Sequence, residues 1–126
     1  MLNTPPTFTW YLLGLVLDWV KSVGGLESIA RLNARKAAKL YQAIDCSSFY
    51  SNPIEPAYRS RMNIPFILSD QGLDKLFLEK AELEGLTNLK GHRSVGGMRA
   101  SLYNAMPESG VDCLVAFMGE FERQYG

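Results

Sequence analysis

The stretch FTWYLLGLVLDWV, from Phe8 to Val20, is apolar around nearly its whole girth, and this sets the first limit on how the chain can fold. Phe8, Trp10, Tyr11, Leu12, Leu13, Leu15, Val16, Leu17, Trp19 and Val20 keep to no single stripe, and a helix of that kind is buried on several sides. Asp18 and Lys21 close the run short of the roughly 20 residues that cross a bilayer. No basic segment precedes it and no small-residue cleavage site follows, which argues against a signal peptide. Local signals predict a helix from about Pro5 to Val23. Thr4 can cap the open N–H groups, Pro5 and Pro6 fit a first turn that needs no N–H partner, and Gly24-Gly25 stop it. A chain of 126 residues suits one domain with one core, burying roughly two-thirds of its unfolded surface. So small a domain has difficulty covering such a helix, so a neighbour is expected, either another domain or another subunit.

The rest of the chain alternates helix and strand signals. A second helix is predicted over about Leu26 to Ile44, with Ile29, Leu32, Ala37, Leu40, Tyr41 and Ile44 on its apolar face and Arg31, Arg35, Lys36 and Lys39 on the wet one. A short strand is expected near Phe49 to Tyr50 and another from about Met62 to Leu68, where Pro65 calls for an edge position or a bulge. Ser69 or Asp70 should start a helix over about Gly72 to Glu84, with Leu73, Leu76, Phe77 and Leu83 inward, ended by Gly85. LTNLKG and GGMRASLYN read as two further strands. Pro107 begins a last helix that turns Val111, Leu114, Val115, Phe117, Met118 and Phe121 inward. This order gives an α+β class, a small, mostly antiparallel sheet with helices packed on it, as a single domain over residues 1–126.

Charge and cysteine usage narrow the function. Thirteen basic residues balance thirteen acidic ones, so no net field favours nucleic acid or an anionic membrane, and anion binding must be local. Cys46 and Cys113 form no CxxC pair and, with one histidine, make no zinc set. Reduced, packed thiols of a cytoplasmic protein are the plain reading.

Local cation chemistry gathers in GHRSVGGMRAS, Gly91 to Ser101. Arg93 and Arg99 can each grip a carboxylate or phosphate with two prongs, and His92 adds a donor. Gly96 and Gly97 let backbone approach a ligand or a strand closely. With a strand starting near Gly97, Arg99, Ser101 and Tyr103 share one face. A glycine-led turn with surface arginines accounts for the same residues equally well. Asn3 and Thr4 stand at a helix N-terminus, which suits phosphate, while ordinary capping explains them too. Arg59 and Arg61 are expected to be solvated strand-end charges. There is no GxGxxG, P-loop, nucleophile elbow or HExxH. One histidine leaves little for general acid–base work. Read unaided, the chain orients a ligand and lacks a reaction centre.

LNTPPTFTWYL, YRSRMNIPF and LKGHRSVGGMRASLYNAMP, in this order, closely resemble the C-terminal part of the bacterial phosphoserine aminotransferases. These are pyridoxal-phosphate enzymes of the aspartate aminotransferase fold, class V. The likeness runs from Leu2 to the closing FERQYG. It implies that Asn3 and Thr4 reach across a homodimer to the phosphate of pyridoxal 5'-phosphate. It implies that His92 and Arg93 hold the distal anion of O-phosphoserine or glutamate, and that Arg99 grips the α-carboxylate. The implied reaction exchanges an amino group between O-phosphoserine and 2-oxoglutarate, in serine and vitamin B6 biosynthesis. The family's cofactor-bearing lysine, the aspartate at the pyridine nitrogen and the stacking aromatic would lie upstream of NTPPT, and none of Lys21, Lys36, Lys39, Lys75, Lys80 and Lys90 stands in the family's lysine motif. The chain therefore looks like the small domain plus its entering helix, supplying substrate anchors only and inactive by itself. The competing expectation is a free-standing, non-catalytic small-molecule-binding or regulatory domain.

Overall fold

The computed structural model describes residues 3–126. The elements, in order, are helix α1 (Thr7–Ser22), helix α2 (Gly25–Asp45), strand β1 (Tyr50–Ser51), strand β2 (Asn63–Leu68), helix α3 (Asp74–Leu83), strand β3 (Met98–Ser101) and helix α4 (Glu108–Tyr125). Short 3-10 turns occupy Pro56–Tyr58 and Gln71–Leu73. The chain divides into two units, Met1–Leu32 and Asn33–Gly126.

In the first unit α1 begins two residues later than its proline pair suggests. Pro6 is the N-cap and no side chain caps the helix, so Thr4 does not do so. The cause is local: a residue before proline is pushed out of the α region, which bars Thr4 and then Pro5 from the helix. Gly24, at φ 96°, lies in the turn between α1 and α2, and Gly25, at φ 77°, opens α2. No residue of α1 is buried, and Trp10 is 65% exposed.

In the second unit the sheet order is β1-β2-β3, antiparallel throughout. Alternation sends Ile64, Phe66, Leu68, Met98 and Ala100 into the core. There they join Ala37, Leu40 and Ile44 of α2, Phe77 and Ala81 of α3, and Val111, Leu114, Met118 and Phe121 of α4. Edge-to-face rings of Tyr50, Phe66, Phe77 and Phe121 tie the layers together. The Tyr50 hydroxyl donates to the Met118 carbonyl at 3.0 Å, and burial pushes that phenol's pKa up.

Several expectations are corrected. β2 is the central strand, not an edge. Pro65 is tolerated because β1 stops at Ser51, opposite Ile67, so no strand flanks Pro65 on that side; the Asn52 side-chain amide donates to the Pro65 carbonyl at 2.6 Å instead. LTNLKG forms no strand and contributes only an isolated bridge, Lys90 to Met98. Leu83 ends α3 and is 86% exposed rather than inward. Both cysteines are free but exposed rather than packed. Arg59 is not solvated: its two terminal nitrogens grip Asp45 at 2.6 and 2.8 Å, and it lies over the Tyr41 ring. The largest departure is Lys36. It is 0% exposed, because it shares the inward stripe of Asn33, Ala37 and Leu40. Its ammonium donates to the carbonyls of Tyr103 and Met106 at 2.9 Å each and of Leu102 at 3.4 Å.

Candidate functional site

The chain reaches β3 through a loop that glycine makes possible. Gly91 N–H donates to the Gly97 carbonyl at 2.9 Å. A Cβ on Gly91 would lie 2.1 Å from the Gly96 carbonyl oxygen, and one on Gly97 would lie 2.8 Å from the Phe66 carbonyl oxygen. Gly97 also holds φ at 59°, a region that favours glycine. The loop therefore closes on itself at its base and seats on β2. Between those glycines the His92 carbonyl accepts from the N–H groups of Val95 and Gly96, at 2.9 and 2.8 Å. His92 and Arg93 stand exposed at the tip of this turn.

A groove of about 470 Å3 runs beside them, lined by Asp74, Lys75 and Leu78 of α3 and by Lys90, His92 and Arg93. Four of those six side chains can carry positive charge or donate. Leu78 is apolar, and Asp74 is the one carboxyl among them. Its Oδ1 is buried without a partner, and desolvation, then the charge of Asp70, raises its pKa. The groove thus carries an excess of positively charged and donor side chains over its single carboxyl, which suits an anionic ligand.

Arg99 is placed differently. The pleat that buries Met98 and Ala100 turns Arg99 and Ser101 to the opposite face of the sheet. Pro65 is its cross-strand neighbour, and its N–H donates to the Leu89 carbonyl at 2.7 Å. On the same face Ser101 donates to the Asn63 side chain at 3.3 Å. Arg99 is half-buried, and its Nε is buried with no hydrogen-bond partner among the described residues. Buried donors are almost always paired in folded proteins, so an orphaned guanidinium nitrogen marks a place where an acceptor belongs.

The structure thus brings His92 and Arg93 together at one groove and sets Arg99 on the open sheet face next to Ser101. Asn3 and Thr4 belong to the other unit; both are exposed, and neither side chain is spent on capping α1. Sequence reasoning missed Asp74, Lys75 and Lys90 as neighbours of the turn. The α3 pair approaches from a separate element and left no mark in the spacing, whereas Lys90 directly precedes the loop. It also gave Ser94 no role, although the hydroxyl lies 2.7 Å from His92 Nδ1.

A small antiparallel α+β domain with a glycine-closed cationic turn beside an arginine-bearing strand defines a class that the comparisons identify. The aminotransferase class V family model matches residues 1–114, and the chain belongs to that family. Within it, the chain is 61% identical over 125 residues to a phosphoserine aminotransferase of Coxiella burnetii, covering 99% of this chain and 35% of the relative. It is 58% identical over 126 residues to one of Marinomonas sp., covering 100% of this chain and 35% of that protein. A phosphoserine aminotransferase structure from Bacillus circulans subsp. alkalophilus superposes with a TM-score of 0.94 at 47% identity, over 98% of this chain and 35% of that one. A pyridoxal-phosphate-bound phosphoserine aminotransferase from Trichomonas vaginalis gives 0.87 at 44% identity, over 94% of this chain and 34% of that one. The chain spans about a third of the length of the curated relatives it matches. The family is the one that the resemblance of its sequence blocks implied.

Proposed function

We propose that this chain is the substrate-anchoring part of a pyridoxal-phosphate-dependent phosphoserine aminotransferase. The reaction is amino transfer between O-phosphoserine and 2-oxoglutarate, giving 3-phosphohydroxypyruvate and glutamate. The setting is a cytoplasmic homodimer serving serine and vitamin B6 biosynthesis. The observation that carries the reading is the buried, unpartnered Nε of Arg99. A substrate α-carboxylate supplies the acceptor that the fold withholds, through the two-pronged contact that guanidinium geometry allows. His92 and Arg93, at the groove with Lys75 and Lys90, take the distal phosphate of phosphoserine or the side-chain carboxylate of glutamate. Two anchors at two places hold a doubly charged amino acid in one orientation.

Asn3 and Thr4 would hold the cofactor phosphate across the homodimer. Their fit rests on chemistry on hand: an amide and a hydroxyl, both exposed, ahead of a helix that no side chain caps. When bound, pyridoxal phosphate supplies the electron sink for amino transfer. This chain's own residues bind and orient the substrate and neutralise its two charges.

A chimera tests this, with the chain replacing the matching third of the Coxiella burnetii relative. It should transaminate phosphoserine with 2-oxoglutarate. A folded, cofactor-loaded chimera without that activity overturns the proposal. Alone, the chain should be inactive. Mixed with pyridoxal phosphate and reduced with borohydride, it should carry no stoichiometric label on a single lysine, and full labelling of one lysine would contradict its role as an anchor only.

A further inference from the structure

The assignment of His92 to the distal anion leaves open which ring nitrogen offers the hydrogen. The geometry of the turn answers this. The Ser94 backbone N–H donates to His92 Nδ1 at 3.3 Å, and the Ser94 hydroxyl lies 2.7 Å from the same nitrogen. A backbone N–H can only donate, so Nδ1 presents its lone pair, and in the neutral ring the proton sits on Nε2. The hydroxyl, whose hydrogen rotates, then donates to Nδ1 as well. The ring cannot swing away with its backbone, because the His92 carbonyl is held by two N–H groups and the loop base is closed by Gly91 and Gly97. The charged groups sharing the groove are Asp74 and Lys75 from α3, and Lys90 and Arg93 from the loop that leads to β3.

We propose that Ser94 is a positioning residue that fixes His92 in the Nε2–H form, so that the ring always presents a donor to the distal anion. The inference rests on the reading of His92 given above. Without the hydroxyl, Nδ1 keeps only the longer backbone contact. The ring then exchanges tautomers and part of the time turns a lone pair toward the anion, which repels it. A substrate with no distal anion is indifferent to this.

The chain holds a single histidine, so every imidazole signal in a long-range 1H–15N spectrum belongs to His92. At alkaline pH the unaltered chain and Ser94→Thr should show protonated Nε2 and bare Nδ1. Ser94→Ala should move both nitrogens toward the averaged position. In the chimera, Ser94→Ala should raise KM for phosphoserine and glutamate roughly two- to tenfold, the equivalent of one lost hydrogen bond. It should leave alanine and kcat unchanged, and Ser94→Thr should restore KM. Nitrogen signals unmoved by Ser94→Ala overturn the proposal, whatever KM does. Signals that move while KM for both anionic substrates stays fixed overturn the placement of His92 at the distal anion and leave the tautomer assignment standing.

Discussion

Lys36 and Arg99 are two cations drawn inward by the same small domain, and they end in opposite conditions. Lys36 sits in the α2 stripe with its three N–H bonds directed at three carbonyls around the β3–α4 turn. Burial lowers its pKa, with Glu108 opposing the shift. Arg99, on the strand leading into that turn, keeps a buried nitrogen with no partner. A buried charge is tolerated when it is hydrogen-bonded and costs free energy when it is not. The contrast separates two uses of buried charge. Lys36 is spent on the fold, whereas Arg99 keeps an unspent nitrogen, which the proposed function assigns to a substrate carboxylate.

The largest expected effect comes from removing that unspent nitrogen. In the chimera, Arg99→Ala should lower kcat/KM for phosphoserine, glutamate and alanine alike. Removing one partner of a desolvated charge pair costs about 2–5 kcal/mol, roughly thirtyfold to a few thousandfold. Arg99→Lys should not restore the rate, because a point charge cannot make the forked contact. Arg93→Ala should hurt phosphoserine and glutamate and spare alanine. An equal loss on alanine would mean that the two arginines do not divide the substrate between them.

The second effect reverses the ranking by reading stability instead of rate. Lys36→Met in the chain leaves three carbonyls without their donor and should cost about 2–4 kcal/mol, read from urea unfolding followed by circular dichroism. Arg99→Met should cost under about 1 kcal/mol or even stabilise, because it removes an unsatisfied polar nitrogen and keeps the apolar stem. Equal losses at the two positions would erase the distinction between them.

That distinction was only half legible beforehand. Helix ends were visible because glycine and proline impose them: Gly24-Gly25, Gly85 and Pro107 fall where the chain turns. The strand expected from about Met62 to Leu68 is there as β2, Asn63–Leu68. Lys36 was misplaced because its charge outweighed its position on the stripe. The carbonyls that satisfy it come from residues 102–106, far along the chain. Arg59 failed similarly, since its partner Asp45 is fourteen residues away on α2. LTNLKG has strand-like composition but makes a single bridge to β3. In the candidate site, the residue types at His92, Arg93 and Arg99 suggested the anion binding that the proposed function assigns to them. The orphaned nitrogen and the arrival of α3 beside the turn are tertiary facts with no local sequence mark.

The smallest effect concerns cations that never went inside, and it calibrates the comparison. Arg35 and Lys39 of α2 reach Glu108 of α4 at 2.9 and 2.8 Å, and Lys39 also reaches Asp112 at 2.7 Å. Hydrogen bonds from Arg35, then Lys39, hold the Glu108 carboxyl well below the usual 4.5, at about 2. A carboxyl whose pKa is depressed by folding binds fewer protons in the native state than in the unfolded one. Its stabilisation is therefore complete above about pH 4.5 and fades as pH falls toward about 2. Glu108→Gln should flatten this part of the stability–pH curve: it should lower stability modestly at pH 7, where the ionised carboxylate is paired, and change little near pH 2, where the carboxylate is protonated in either state. Arg35 is 61% exposed, so the network should also weaken as salt rises, since exposed pairs are screened and worth little. The loss from Lys36→Met should persist in 1 M salt, because its carbonyl cage excludes solvent. If salt removed both effects equally, Lys36 would belong with the surface pairs, and the separation between a charge spent on the fold and one that the proposed function assigns to a ligand would lose its structural half.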